Sequence, residues 1–259
     1  MKAIWRLALI AMLILVLGLV ACGKDDDDDD NNDLTGPGDI TPANTDWEIT
    51  IIHNPGAQKL ETYYVMVDWL GDISALAETD TYSMKIDNVE YPLSSYWMFG
   101  IVMITGEVEL NPGHTYNLEI YRNGNKICDA NIKMPYPASA TFPANYSPSS
   151  AASFSWTLSD NNQYQFAGVS SYGGTDQNED AIVQVASSAR SHTVAANTIS
   201  GFGPGTEYEL LVSQLNFARD GRTAISAVQG DYKSYGGAKG DHVQNLLRQT
   251  RRFIRSQAL

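Results

Sequence analysis

Between residues 46 and 235, short runs of β-branched and aromatic residues alternate with clusters of Gly, Pro, Asn and Asp. Such runs are typical of β-strands that end in turns. No long amphipathic helix pattern interrupts them, which favours antiparallel sandwiches over a parallel sheet with crossover helices. The Asn123-Gly124 and Asp220-Gly221 pairs predict hairpin turns. The clearest predicted strands are 47–52, 63–69, 101–105, 115–121 and 182–185.

An internal repeat divides this region into two units. Residues 110–120 align with residues 202–212 at an offset of 92 residues, with a Pro-Gly pair and a tyrosine in register. The two tyrosines are Tyr116 and Tyr208. Self-similarity at a fixed spacing indicates that one structural unit occurs twice.

This combination resembles the fibronectin type III and immunoglobulin-like β-sandwich. In that family a turn leads into a strand whose tyrosine hydroxyl bonds back to the backbone, the tyrosine corner, and a tryptophan fills the core. The resemblance implies that Tyr116 and Tyr208 form tyrosine corners. It also implies that Trp69 and Trp156, which lie 47 and 52 residues upstream of the tyrosines, belong to the two cores. All four residues are then structural.

The sequence therefore predicts an all-β chain of two tandem immunoglobulin-like (fibronectin type III-like) β-sandwiches, at 46–135 and 136–235. Two prolines within 134–137 indicate a short, stiff connector at their junction. Two features depart from the family pattern. The stretch 71–98 is long and expected to be irregular, and Phe202 stands where an aliphatic residue is usual.

The first 22 residues carry a different signal. Lys2 and Arg6 precede an uncharged apolar run, 7–21, which is shorter than the roughly 20 residues that a spanning helix needs. Leu-Val-Ala before Cys22 resembles the lipobox of bacterial lipoproteins. The resemblance implies a signal peptide at 1–21, acylation of Cys22 and anchoring in a lipid bilayer. An ordinary signal peptide and an uncleaved anchor are the alternatives.

Residues 22–45 read as an acidic tether after the lipidated cysteine. Six consecutive aspartates, 25–30, repel one another and extend the chain into solvent. Lys24 followed by Asp25 and Asp26 resembles the export signal that sends lipoproteins of the Bacteroidota to the outer face of the outer membrane. That resemblance implies a surface-exposed outer-membrane location, and a plain spacer is the alternative.

Charge is unevenly distributed along the chain, whose net charge is −13. Region 46–235 carries −12, which indicates poor affinity for nucleic acid, whereas the tail 236–259 carries +4. An apolar stripe predicts an amphipathic helix of about 18 residues in this tail, which is marginal alone in water. It is expected to fold against the acidic sandwiches, an anionic membrane or a partner. The stripe comprises Val243, Leu246, Leu247, Thr250, Phe253, Ile254 and Gln257, and the arginines are Arg248, Arg251, Arg252 and Arg255.

No residue pattern indicates a catalytic set, a metal site or a cofactor. Ser170 lacks the glycine that a nucleophile elbow needs two residues later. Segment 176–180 lacks the glycine of a calcium loop, so a polar loop between strands is expected there. Cys128 is expected to face a core as a small hydrophobe; a reactive thiol is the alternative. The histidines, which are not spaced as metal ligands and are expected to be isolated on the surface, are His53, His114, His192 and His242.

The densest aromatic stretch is 91–100. Exposed aromatic rings bind sugar rings or peptides through their flat faces. Alternation in its second half equally suits a strand that buries Trp97 and Phe99 in a core. This leaves Tyr91 and Tyr96 as the candidate ligand contacts.

Three functions are compatible with these features. The first is a non-catalytic envelope lipoprotein that acts as a spacer and a binding or adhesion module, with a glycan or protein ligand suggested by fold analogy. The second is a structural accessory subunit of an envelope complex, docked through the C-terminal helix. The third is a hydrolase that uses carboxylates such as Asp68 or Glu107. The absence of a recognisable catalytic constellation in the sequence favours a non-enzymatic role.

Overall fold

The computed structural model describes residues 44–53, 61–98, 101–173, 178–203 and 205–236. The predicted signal peptide, the predicted acidic tether up to residue 43 and the predicted C-terminal helix lie outside the described residues, so the expectations for them stay predictions. Within the described ranges no helix is long and apolar enough to cross a membrane.

Eight strands form the first sandwich. One sheet has the order β1-β2-β6-β5 and the other has the order β4-β3-β7-β8. The inward-facing side chains of both sheets form one buried core, in which Ile49, Val65 and Leu118 are fully enclosed. The strands are β1 (Trp47–His53), β2 (Thr62–Trp69), β3 (Tyr82–Ile86), β4 (Val89–Pro92), β5 (Ser94–Met98), β6 (Ile101–Glu109), β7 (Thr115–Arg122) and β8 (Asn125–Lys133).

Seven strands form the second sandwich. Its sheets have the orders β13-β10-β9 and β12-β11-β14-β15. In immunoglobulin-type sandwiches, the first, second and fifth strands share one sheet, and the third, sixth and seventh share the other, which is the arrangement found here. The strands are β9 (Ser139–Thr141), β10 (Ala152–Thr157), β11 (Tyr164–Tyr172), β12 (Asn178–Val185), β13 (Ser191–Val194), β14 (Glu207–Asp220) and β15 (Thr223–Tyr235).

A long hairpin joins the two sandwiches into one sheet system. Strands β14 and β15 have 14 and 13 residues, whereas the corresponding β7 and β8 have 8 and 9. The extra length carries the hairpin beyond its own sandwich, where β15 pairs in parallel with β1, from Trp47 opposite Thr223 to Ile52 opposite Val228. The result is a continuous eight-stranded sheet, β12-β11-β14-β15-β1-β2-β6-β5.

The hairpin also completes the core of the first sandwich. Ile225 and Ala227 of β15 are fully buried in that core. At the tip, the backbone N–H of Asp129 donates to the Asp220 carboxylate at 2.7 Å. Thr223 donates its hydroxyl proton to the Ile127 carbonyl at 2.8 Å. Through these contacts the second unit closes the open side of the first, between β1 and β8.

The prediction of two tandem sandwiches is confirmed, and all five predicted strands are present with longer bounds. The expectation of an irregular 71–98 segment is wrong, because this stretch contains β3, β4 and β5. The expectation of one strand over 96–101 is also wrong, since β5 ends at Met98 and β6 begins at Ile101 as its antiparallel partner. Both features were hard to recognise in the sequence, because the edge strands are short and contain polar residues, and β4 ends in Pro92.

The repeat tyrosines occupy equivalent places, each as the second residue of its strand, β7 or β14. The hydroxyl of Tyr116 accepts a hydrogen bond from the backbone N–H of Asn111 at 2.8 Å. The Tyr208 hydroxyl lies against Gly201, where φ is +76° and an added Cβ would collide with it. A side chain at that glycine would therefore be excluded both by backbone conformation and by the phenol.

The two tryptophans differ in burial. Trp156 is 3% exposed, and its indole N–H donates to Gln165 Oε1 at 3.0 Å in the second core. Trp69 is only half-buried at the edge of the first core, where its ring centroid lies 4.7 Å from that of Trp47. Its indole N–H donates to the Asp72 carbonyl at 2.8 Å.

Shortening Ile225 to alanine should lower the stability of the whole two-sandwich unit. Its side chain is fully buried in the first core although its strand belongs to the second sandwich. Ile225→Ala should cost about 2–5 kcal/mol and shift a single calorimetric transition to lower temperature. The control is Val183→Ala on β12, where the side chain is 47% exposed and a change of only about 0.5 kcal/mol or less is expected. Two separate transitions, only one of which moves, would contradict the shared core.

Removal of the phenolic oxygen of Tyr116 tests the tyrosine corner of the first sandwich. Tyr116→Phe deletes the bond from Asn111 and should reduce the free energy of unfolding by about 0.5–1.5 kcal/mol in urea titrations. Tyr96→Phe is the matched control, because the Tyr96 side chain is 46% exposed. Equal effects of the two substitutions would show that the corner hydrogen bond adds nothing to stability.

Candidate binding surface

The described chain begins at one end of the eight-stranded sheet. The guanidinium of Arg219 donates to the Asn44 carbonyl at 3.2 Å and to the Thr45 hydroxyl at 2.8 Å. Arg222 pairs with Asp46 at 2.7 Å, and this hydrogen-bonded ion pair lowers the pKa of the Asp46 carboxyl. We call this end, formed by residues 44–47 and the 220–222 turn, the anchor pole, because the predicted tether precedes it in the sequence. The predicted site residues Cys22, Lys24, Asp25 and Asp26 lie outside the described residues.

The opposite end of the sheet is the far pole, formed by residues 199–203, 205 and 206 together with Gly173 and Tyr235. Strand β15 runs from the anchor pole to the far pole over 13 residues, which corresponds to about 40 Å. The anchor pole and the far pole are thus separated by the full length of β15.

The far pole presents an exposed aromatic ring, Phe202, on a closely bonded turn. The ring is 40% exposed and lies over Gly173, where an added Cβ would collide with it. The Phe202 N–H donates to the Thr206 hydroxyl at 2.9 Å, and that hydroxyl donates to the Gly203 carbonyl at 2.7 Å. The turn and the contact with Gly173 therefore hold the ring in place. A ligand that binds the ring would lose little conformational entropy in ordering it.

An acidic side chain fixes the same turn to the neighbouring strand. Glu179 of β12 accepts hydrogen bonds from the backbone N–H groups of Ser200 at 2.9 Å and Gly201 at 3.3 Å. These donors lower the pKa of the Glu179 carboxyl. The expectation of a polar loop over 176–180 is wrong from residue 178 onward, because β12 begins there.

Tyr91 and Tyr96 occupy neighbouring edge strands on different sheets. Tyr91 on β4 is half-buried and packs against the first core, whereas Tyr96 on β5 is 46% exposed. Among the ring contacts of the described residues, none joins the two tyrosines. Tyr96 is the better placed of the two for an external contact. Trp97 is half-buried against the first core, and Phe99 lies outside the described residues.

A cavity of about 370 Å³ lies near the anchor pole, between the hairpin tip, the start of β1 and β8. Its charged groups already have partners. Lys126 pairs with Asp129 at 2.7 Å and with Glu119, and Arg222 pairs with Asp46. Its lining residues are Asp46, Trp47, Lys126, Ile127, Cys128, Asp220, Arg222 and Thr223.

Cys128 is 1% exposed and faces the first core. Burial raises the pKa of the Cys128 thiol to about 12, and the nearby carboxylates of Asp220 and Asp129 add to this rise. Because the thiolate is the reactive form, this environment favours an inert packing residue.

Two histidines contradict the expectation of a surface position. His53, at the end of β1, is 9% exposed, and His192 on β13 is partly buried against Phe154. Burial lowers the pKa of both imidazoles. His114 is exposed in the turn before β7, and His242 lies outside the described residues. The described residues contain no group of three or more side chains that suits a metal ion.

The carboxylates considered for hydrolysis do not form a pair with each other. Glu107 lies opposite Tyr64 of β2, so Asp68 is four residues farther along that strand, or about 13 Å away. Asp68 instead lies directly opposite Glu48 of β1. Since Glu48 is 1% exposed, this pair does not line an open cleft.

Comparisons with known proteins assign no family to the chain. No protein-family model matches the sequence, and no curated protein matches it. A cytokine receptor complex is 13% identical over 75% of this chain and 99% of that chain, with a TM-score of 0.30. A two-domain fibronectin type III segment of chicken tenascin is 15% identical over 74% and 98%, with a TM-score of 0.26. The Yersinia pseudotuberculosis adhesin InvE is 14% identical over 79% and 61%, with a TM-score of 0.23. Scores this low do not establish a common arrangement of whole chains. The strand order within each sheet is what identifies two tandem fibronectin type III-like sandwiches.

Proposed function

We propose that this chain is a lipid-anchored envelope lipoprotein whose two sandwiches form one rigid, non-catalytic spacer and binding module. The observation that carries the proposal is the polarity of the eight-stranded sheet. The tether enters at the anchor pole, and a fixed aromatic ring is presented about 40 Å away at the far pole. Separate sandwiches on a flexible linker would move independently by default, whereas continuous strands hold the two ends at a constant distance.

The anchor in this proposal is acylated Cys22, and the location is the outer membrane, with the Lys24-Asp25-Asp26 signal directing surface exposure. The 23 residues from 23 to 45 could extend to about 75 Å, at roughly 3.3 Å per residue. Tether and sheet together would carry the far pole well clear of the lipid surface. The ligand is a glycan or a protein that contacts an exposed aromatic ring.

Lipidation is tested by metabolic labelling. The chain should incorporate palmitate, and Cys22→Ala should abolish the label, because a single thiol is the acylation site. Cys128→Ala is the control: Cys128 is 1% exposed, so labelling should be unchanged. Persistent label in Cys22→Ala would refute the anchor.

Protease shaving of intact cells then distinguishes surface exposure, in which the sandwiches are cleaved, from a periplasmic location.

The far pole is tested by binding. Phe202→Ala should weaken capture of envelope glycans or proteins by the purified chain about tenfold or more, as expected for loss of one aromatic contact. Tyr96→Ala probes the competing surface on β5, and Val183→Ala is the control for loss of an exposed apolar side chain on β12. Loss of binding in Tyr96→Ala alone would move the contact surface to the first sandwich. Wild-type binding in both aromatic variants would exclude both surfaces.

A further inference from the structure

The two faces of the eight-stranded sheet are covered differently. Along β1, side chains alternate between Trp47, Ile49 and Ile51, which belong to the first core, and Glu48, Thr50 and Ile52, which point to the opposite side. We call this opposite side the outer face. Its residues include Glu48, Thr50, Ile52, Met66, Asp68, Phe166, Asp180, Glu209, Leu215, Phe217, Ala224, Ser226, Val228 and Ser234.

The outer face is buried. Ile52 is 0% exposed, and its neighbours Val228 and Leu215 are each 1% exposed. They belong to an apolar cluster whose members, within the described residues, come from strands of this one sheet and from Leu70 just after β2. A single layer of strands cannot enclose its own face, because side chains stand away from the backbone plane. A further layer of the molecule must lie over this cluster.

Buried polar atoms on this face give an independent indication of a cover. Thr50 and Ser226 lie opposite each other on β1 and β15 and are 0% and 1% exposed. In the part of the chain that the structure describes, neither hydroxyl oxygen has a hydrogen-bond partner. On an open sheet face, water would solvate both hydroxyls.

The outer face is also acidic. Glu48 and Asp68 lie directly opposite each other on β1 and β2, an arrangement that is unfavourable for like charges without a nearby cation. Glu209 of β14 is 5% exposed and Asp180 of β12 is on the same face, two strands away. A carboxylate at such depth is stable only beside cations or hydrogen-bond donors.

The segment 237–259 matches this face in length, position and charge. It follows directly after β15, which lies near the middle of the sheet. A helix over 241–257 would be about 26 Å long, and the face from Ser234 to Ala224 extends about 33 Å. Gly236, with φ +86°, starts the connector that would reverse the chain direction. The four arginines of the tail lie in its second half, which would then approach Glu48 and Asp68.

We propose that the tail 237–259 folds back as an amphipathic helix and covers the outer face of the eight-stranded sheet as a third layer. Its apolar stripe packs on Ile52, Leu215 and Val228, and its arginines neutralise the facing carboxylates. The tail is attached one residue after β15, so its effective concentration at this face exceeds that of a partner in solution. The helix then spans the seam between β15 and β1 and holds the two sandwiches together. This assignment does not depend on lipidation or on the ligand.

Thiol accessibility tests the cover in the full chain. In Ser226→Cys the new thiol lies on the outer face and should react slowly with a maleimide, as followed by peptide mass spectrometry. Removal of 237–259 should raise its labelling rate about a hundredfold, because a buried thiol reacts only through local opening. Ala227→Cys is the matched control: it is the next residue, it is 0% exposed, and it faces the first core. Its labelling should stay slow with and without the tail.

If removal of the tail loosens the whole fold, the thiol of Ala227→Cys will also react, and the deletion will not discriminate. Charge variants that retain the tail then test the proposal. Replacing Arg248, Arg251, Arg252 and Arg255 with glutamate should expose Ser226→Cys, whereas replacing the same four residues with lysine should keep it protected.

The proposal fails if Ser226→Cys labels at the same rate with and without the tail and the glutamate substitutions change nothing. It also fails if protection in the full chain is lost on dilution, because the cover would then be a second copy. Protection that appears in the full chain only when anionic vesicles are present would assign the face to a membrane instead.

Discussion

The parallel pairing of β1 with β15 is the interaction on which the molecule depends. Six residue pairs, from Trp47 with Thr223 to Ile52 with Val228, connect the first strand of one sandwich to the last strand of the other. Each strand would otherwise be a sheet edge with unpaired backbone groups, a liability for aggregation. Pairing removes both edges at once. It also brings Ile225 and Ala227 into the first core, so backbone bonding and side-chain burial reinforce each other.

The two sandwiches could be predicted from the sequence, but the β1–β15 pairing that joins them could not. Tyrosine positions, turn dipeptides and strand-like runs are local signals, and they located the strands that carry Tyr116 and Tyr208 correctly. One local signal of the long hairpin was present: Gly124 follows Tyr116 by 8 residues, whereas Gly221 follows Tyr208 by 13. The extra residues predict a longer hairpin, but not its partner, because contact between β1 and β15 joins residues about 175 positions apart.

The candidate surfaces show a similar division. Tyr96 was identified from aromatic density and is exposed, whereas Tyr91 lies against the core. Phe202 was noticed only as a departure from a family pattern, and its position at the far pole follows from tertiary structure. Alternation along β1 suggests that Glu48 and Thr50 face solvent, yet both are buried. The two-residue alternation of a strand specifies which side chains share a face of the sheet. It does not show whether another layer packs on that face.

The direction of β1 has a mechanical consequence. A pull applied at Asn44 and resisted at the far pole acts along the strand axes, so it loads the β1–β15 and β1–β2 hydrogen bonds in shear. In this geometry the bonds of both ladders share the load and must break together, instead of opening one at a time from an end. Resistance to force is set by the unfolding rate and not by equilibrium stability. The pairing that makes the molecule one body therefore also suits it to sustained tension between its two ends.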